Sequence, residues 1–380
     1  MELPTSFNEF LKEIRPTANH TGDMITGYKT LRSRLLADEV LGPIIVSTFL
    51  QGSYRRATAI RPRGGKRSDV DLVVVSKLMR EEYTPQEAMD LFVPFLDRHY
   101  KGKWDFQGRS VGIELSYVDL DLVITSAPSE AESSALKSAS VTATDTPEEV
   151  DDWRLVPSYV SFSDRSSPDA WKRVELARKE VEWKLSPLHI PDREAKEWDD
   201  THPLAQIRWT WEKNKACNKH YVNVVKALKW WRRIGPESPK YPKGYPLEHL
   251  IGQCCPDGVA SIAEGVTRTL EAIASVYATY ASLKIVPEMP DHGVPAHDVF
   301  HRLTGEDFAA FHALARDAAA TARHALDAKS AQESAEEWRK LFGDKFPVPV
   351  KSDSGSRDVK LGTPAAGGGG PRPLKDQPFF

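Results

Sequence analysis

The chain has 380 residues, 40% of them hydrophobic, and 51 Lys and Arg against 54 Asp and Glu leave a net charge of -3. That is enough apolar material for two domains or one large one. The near-neutral balance gives no global positive field for wrapping nucleic acid, so no stable nucleic-acid partner is expected. The three cysteines, Cys217, Cys254 and Cys255, have no CxxC spacing, which argues against a disulfide framework and a cysteine zinc site. The N-terminus MELPTSFNEF lacks a basic region followed by an apolar run, and no stretch approaches the roughly 20 apolar residues of a membrane helix. A cytoplasmic protein with no membrane partner is expected.

In chain order, residues Phe7 to Ala37 carry apolar positions at helical spacing, interrupted near Pro16 and Gly22. IIVSTFL, bounded by Gly42-Pro43 and Gly52, reads as a buried strand. A polar, Arg-rich connection leads to a second strand, DVDLVVVS; Pro85 to Tyr100 reads as helical, and Ser110 to Thr125 as one or two further strands. Ser126 to Glu149, rich in Ser, Ala and Thr, is expected to be a long loop. From Pro168 the periodicity is mostly helical, over Asp169 to Leu185, Asn218 to Arg233, Ser261 to Ile285 and Glu306 to Phe342. After Phe346 the text turns Gly/Pro-rich and aperiodic, as a flexible tail would. The expected fold class is α+β, a mixed sheet with flanking helices followed by a mostly helical second lobe. The expected boundaries are 1–165 for the sheet lobe with its N-terminal helix, 166–346 for the helical lobe and 347–380 for the tail.

The chemistry concentrates in FLQGSYRRATAIRPRGGKRSDVDLVVV. A strand ends at Gly52-Ser53, where glycine lets backbone approach a phosphate and serine adds a hydroxyl beside exposed N–H groups. The next strand begins Asp69-Val70-Asp71, and alternation along a strand puts both carboxylates on one face. Such a pair repels unless a cation sits between them. Magnesium takes hard oxygen ligands and leaves room for phosphate oxygens, and two such ions can serve both the attacking and the leaving oxygen of a phosphoryl transfer. The apolar LVVV that follows is too hydrophobic for a surface edge, which favours the metal site over a solvated pair.

GSYRRATAI and SDVDLVVV resemble the signature of polymerase-β-like nucleotidyltransferases. More narrowly, the chain resembles the bacterial cyclic-oligonucleotide synthases of anti-phage signalling, the cGAS/DncV-like enzymes. LHIPDR, the Trp198 neighbourhood, THPLAQIRW, NVVKALKWWRR and GYPLEHLI carry the narrower likeness, which runs from about Phe49 to Cys255. The resemblance implies a two-lobed enzyme with its site in the cleft, two Mg²⁺ ions (Mn²⁺ able to substitute) and nucleoside triphosphate substrates (ATP, GTP or pyrimidine triphosphates). It implies a cyclic di- or trinucleotide product made without a template. It also implies nucleotide contacts from Gln51, Gly52 and Ser53, a triphosphate contact from Lys229 (with Lys226 as alternative), and a stacking contact from Tyr245. Gly244 stands where a serine would assist, so the phosphate contact expected of a Ser-Tyr pair is missing. In related systems a C-terminal tail is captured by a regulatory protein, which makes Asp376 to Phe380 the expected handle.

A third carboxylate is expected from SYVDLDLVIT. Asp119 and Asp121 share a face, nearly 7 Å apart along the strand at about 3.3 Å per residue, so one can centre on an ion bound at about 2 Å while the other sits at the margin. Asp121 precedes Leu122-Val123-Ile124, deep in the strand, and is the expected ligand; Asp119 is expected to pair with an arginine. Trp230 and Trp231 are expected in packing, Arg55, Arg56 and Arg61 at the nucleotide entrance or on a solvated face, and the scattered His189, His202, His220 and His249 in no metal role. Two other readings compete: the same fold modifying an RNA end, a protein or a small molecule, and a catalytically dead nucleotide sensor.

Overall fold

The structure, a computed structural model, describes residues 1–126 and 186–348. The expected loop after Ser126, the expected helix at Asp169 to Leu185 and all but the first two residues of the expected tail lie outside the described residues. Met1–Val348 forms one compact unit. Among its described residues, no helix is long and apolar enough to cross a membrane.

Two helices, α1 (Pro4–Ile14) and α2 (Ala18–Ala37), open the chain. They part at Pro16, whose ring forbids a continuous helix, while Gly22 is carried inside α2. Strand β1 (Ile45–Gln51) runs straight into a single helical turn, α3 (Gly52–Arg55), and β2 (Ser68–Ser76) returns antiparallel to it. The segment expected as one helix from Pro85 to Tyr100 is two, α4 (Pro85–Asp90) and α5 (Val93–Tyr100). Strands β3 (Trp104–Phe106), β4 (Val111–Glu114) and β5 (Val118–Ser126) follow, and the sheet order is β1-β2-β5-β4-β3. β2 and β5 lie parallel and adjacent at its centre, buried on both faces, which is why their apolar runs are continuous rather than alternating.

Val70, Leu72 and Val74 of β2 face Met24, Tyr28 and Leu31 of α2 and Phe95 of α5 in one core. Val73 and Val75 pack on the other face with Val46, Val123, Leu188 and Ile190. Leu188 and Ile190 come from a feature that periodicity missed. LHIPDR and the Trp198 neighbourhood, read as part of a helical half, form a hairpin of β6 (Leu188–Asp192) and β7 (Glu197–Thr201) that extends the sheet beyond β5. Each strand is five residues long, too short for its pattern to stand out against helical neighbours.

The rest is helical: α6 (Pro203–Ala216), α7 (Tyr221–Ile234), α8 (Tyr245–Cys254), α9 (Ile262–Val276), α10 (Ala278–Leu283), α11 (Gly305–Asp327) and α12 (Ala331–Phe342). These bury a second large core, and α1 belongs to it rather than to the sheet lobe where the sequence reading had placed it. The reason is its apolar face: Phe7 and Phe10 meet Phe342, Phe346 and, through Phe7, Trp338 in a cluster of aromatic rings at centroid distances of 4.6–6.0 Å. Phe346 is fully buried there and Val348 packs against the same core, so ordered packing runs to the last described residue. Ile60, from the β1–β2 connection, also enters this core and ties the two halves together.

Candidate active site

Sheet register decides which acids meet. In the parallel pair β2–β5, Asp69 stands opposite Asp119 and Asp71 opposite Asp121, all four on the face that carries Val73, Val75 and Val123. Ligand oxygens of Asp69, Asp71 and Asp121 lie within 4.8 Å of one another, the one such group of three His, Cys, Asp or Glu among the described residues. Asp119 turns aside: its Oδ1 accepts from Arg67 Nε at 2.6 Å, and the same guanidinium reaches Glu114 at 3.2 Å.

Three clustered carboxylates are electrostatically strained without a cation. Asp69 sits at the solvent rim, yet desolvation by the surrounding protein, followed by the charges of Asp71 and Asp121, pushes its pKa up to about 8. Asp121 is pushed up to about 6, chiefly by burial and then by Asp71, against a hydrogen bond from Gln107 Nε2 at 3.2 Å. Burial also raises Asp71, but the neighbouring Arg56 guanidinium opposes it. The donor set fits a divalent ion: three hard oxygens converge from two rigid central strands, and the repulsion among them is what such an ion would relieve. Among the described residues no other acid joins this group, so Asp69, Asp71 and Asp121 are the residues that would hold Mg²⁺ or Mn²⁺.

Gln51, Gly52 and Ser53 line the edge of this cluster. Gln51 pairs with Asp71 across the β1–β2 ladder. Gly52 has φ +71°, and a Cβ there would lie 2.7 Å from Asp71 Cγ and nearer still to Oδ2. Only glycine meets both demands, a left-handed backbone and a carboxylate pressed against Cα. The Ser53 carbonyl accepts from the Thr58 and Ala59 N–H groups at 2.9 and 3.0 Å, which curls the chain back beneath the turn.

Lys229 and Tyr245 approach from the helical half. Lys229, on α7, donates to Glu248 Oε1 at 2.6 Å and to the Thr58 carbonyl at 3.1 Å. Burial lowers its pKa and Glu248 holds it up. Tyr245 is the first residue of α8, and the Arg56 guanidinium lies over its ring, 5.0 Å from the centroid. Its buried hydroxyl ionises well above the usual range, because of burial and then the charge of Asp291. Trp230 donates from Nε1 to the Phe342 carbonyl and lies in the core, and Trp231 packs edge-on against Phe311. Arg56 is buried inside the site, whereas Arg61 binds the Lys12 and Arg15 carbonyls through its guanidinium. His189 pairs with Asp200 at 2.9 Å.

Two residues escaped the sequence reading. Gln107 orients Asp121 from the loop between β3 and β4, and nothing in its local sequence marks it. Glu248 did leave a signal: within YPLEHLI it is a carboxylate flanked on its own helix by the buried Leu247, Leu250 and Ile251, and such a charge requires partners.

A family model described as the Second Messenger Oligonucleotide or Dinucleotide Synthetase domain matches residues 1–150. A cyclic AMP-AMP-GMP synthase of Enterobacter hormaechei subsp. hoffmannii (strain UCI 50) is 52% identical over 371 residues, covering 96% of this chain and 97% of that protein. A cyclic AMP-AMP-AMP synthase of Acinetobacter sp. (strain ATCC 27244 / 9458) is 28% identical over 351 residues, covering 91% of this chain and 86% of its own. Among solved structures, CdnC of E. coli MS115-1 with ATP superposes at TM-score 0.60 with 17% identity, over 91% of this chain and 100% of that one. The CD-NTase CdnG of Bradyrhizobium diazoefficiens in complex with GTP superposes at TM-score 0.61 with 13% identity, over 89% of this chain and 95% of that one.

Proposed function

We propose that this chain, which belongs to the cGAS/DncV-like nucleotidyltransferases (CD-NTases) that synthesise cyclic oligonucleotides, joins ATP and GTP into a cyclic trinucleotide, cyclic AMP-AMP-GMP. The observation that carries the reading is the convergence of Asp69, Asp71 and Asp121 within 4.8 Å beside the Gly52 turn. The base composition follows the relative that is 52% identical over nearly the whole of both chains. The biological setting that best fits such a product is anti-phage signalling, with the C-terminal tail as the handle for a regulatory protein.

In each transfer a ribose hydroxyl oxygen bonds to the α-phosphorus of a bound triphosphate, the bond to the β-phosphate bridge breaks, and pyrophosphate leaves. Bound between the carboxylates, two Mg²⁺ ions would supply charge to the attacking and leaving oxygens. Asp121, oriented by Gln107, would help hold the ion that favours loss of the proton from the attacking hydroxyl. The backbone of Gly52 and Ser53 lets phosphate approach closely. Lys229, paired with Glu248, is the proposed triphosphate contact from the helical half, and the Tyr245 ring is the proposed stacking face for a base.

The test is incubation of the purified protein with labelled ATP and GTP and Mg²⁺, phosphatase treatment, and mass spectrometry of what survives. A cyclic product has no terminal phosphate to remove, so a phosphatase-resistant species with the mass of cyclic AMP-AMP-GMP is expected. It should vanish in Asp69→Asn/Asp71→Asn. A resistant product of other bases would overturn the base assignment, and only linear or protein-linked nucleotide would overturn the cyclase reading.

A further inference from the structure

Behind the carboxylate cluster lies a second charged group. Glu248 is buried, its side chain 5% exposed, and it is shared by two cations that are nearly as buried: Lys229 at 11% and Arg56 at 7%. Lys229 Nζ donates to Oε1 at 2.6 Å, Arg56 Nε to Oε2 at 3.2 Å, and Thr58 Oγ1 to Oε2 at 2.8 Å. Three elements therefore meet on one carboxylate: α7 through Lys229, α8 through Glu248 itself, and the β1–β2 connection through Arg56 and Thr58. Thr58 in turn binds the Ser53 carbonyl through its N–H at 2.9 Å, one residue from the glycine that touches Asp71. Arg56 also caps the Tyr245 ring.

The charges count as two cations, Arg56 and Lys229, against two carboxylates, Glu248 and Asp71. Both cations are fixed to the turn that presses on Asp71: the Arg56 N–H donates to the Gly52 carbonyl at 3.1 Å, and Lys229 Nζ donates to the Thr58 carbonyl at 3.1 Å. A buried cation that loses its partner is strongly destabilised unless it finds another. For Arg56, the other carboxylate that acts on it is Asp71, the metal ligand itself. Deeper than the proposed reaction chemistry, and resting on that reading, we infer that Glu248 is a positioning residue which holds Arg56 and Lys229 away from Asp71 and so keeps Asp71 free to bind a divalent ion. Glu248 touches neither metal nor nucleotide in this scheme. It sets the affinity of the metal site and the path of the Ser53 turn through its partners.

The probe is Mn²⁺ alone, titrated into nucleotide-free protein and followed by the loss of the free-ion electron paramagnetic resonance signal. Glu248→Gln keeps the shape and the acceptor oxygen but leaves two buried cations facing Asp71. It is expected to weaken Mn²⁺ binding on the order of tenfold, the scale of one added unit charge interacting through partly buried protein. In turnover, half-saturating Mg²⁺ should rise by a similar factor, with a much smaller change in kcat at saturating metal. Lys229→Met should act in the opposite direction and tighten Mn²⁺, and Glu248→Gln/Lys229→Met should return towards the wild-type affinity. A purely structural role for Glu248 would not give opposite signs or recovery in the double variant. Unchanged Mn²⁺ affinity in folded Glu248→Gln, or weaker binding in Lys229→Met, overturns the inference. If Glu248→Gln does not fold, the sign of the Lys229→Met shift decides alone. Wild-type protein that binds no Mn²⁺ and makes no cyclic product would instead sink the functional reading.

Discussion

Substituting Gly52 by alanine separates two costs that coincide at that position. The first is backbone: φ is +71°, and a left-handed residue other than glycine costs roughly 1–2 kcal/mol. The second is contact: the new methyl would sit 2.7 Å from Asp71 Cγ and closer to Oδ2, well inside van der Waals distance, so the carboxylate must move. Asp71 is on a central strand hydrogen-bonded on both sides, so the side chain rather than the backbone gives way. A displacement of about 1 Å in a reacting constellation costs on the order of a hundredfold in rate, or about 2.7 kcal/mol of barrier. Gly52→Ala should therefore lose about a hundredfold in cyclic-product formation while thermal unfolding reports a stability loss of only about 1–2 kcal/mol. Gly64→Ala is the matched control, because φ there is +61° and nothing lies within 4 Å of the added methyl. It pays the backbone cost and should keep near-normal synthesis. If Gly52→Ala retains more than about a tenth of wild-type activity, or Gly64→Ala falls as far, close approach to Asp71 is not what the glycine is for.

Asp121→Asn should reduce turnover by two orders of magnitude or more at saturating triphosphate and Mg²⁺. Asp119→Asn, which loses only a partly exposed pair with Arg67, should lose less than about tenfold; equal losses would reverse the ligand assignment. Asp69 has its folded pKa raised to about 8, so its contribution to the metal-free fold is full below the unfolded value near 4 and disappears as pH rises through about 8. In EDTA, the melting temperature of Asp69→Asn minus that of wild type should therefore grow from pH 6 to pH 9, and saturating Mg²⁺ should abolish the trend; a difference flat with pH in EDTA would contradict it. Trp338→Ala removes a fully buried ring from the cluster with Phe7 and Phe342 and should cost about 3–5 kcal/mol in urea unfolding. Truncation after Val348 leaves the aromatic core whole and should leave basal synthesis in vitro unchanged; its loss would place the tail in the catalytic body.

Much of the site was legible in the sequence because its grammar is local. Asp69-x-Asp71 and Asp119-x-Asp121 must each share a face, since a strand alternates with period two. Gly52 between a strand and a polar turn marks a place where backbone can approach a phosphate. The apolar runs behind both acid pairs identify central strands, and the same text supports the α+β class and the family resemblance. Tertiary structure alone decided the rest, because it concerns partners remote in the chain. That β2 and β5 lie side by side, parallel and with Asp71 opposite Asp121, depends on how the sheet is threaded. The short β6 and β7 gained their strand identity by pairing with each other, and their place in the sheet through His189 opposite Ser126. The α1 helix could have packed on either lobe, and the ring of Phe342, Phe346 and Trp338 more than 300 residues later claimed it. Glu248 and Thr58 hydrogen-bond across a separation of 190 residues. Periodicity records which side chains share a face, but only packing decides which charges must neutralise one another once water is removed.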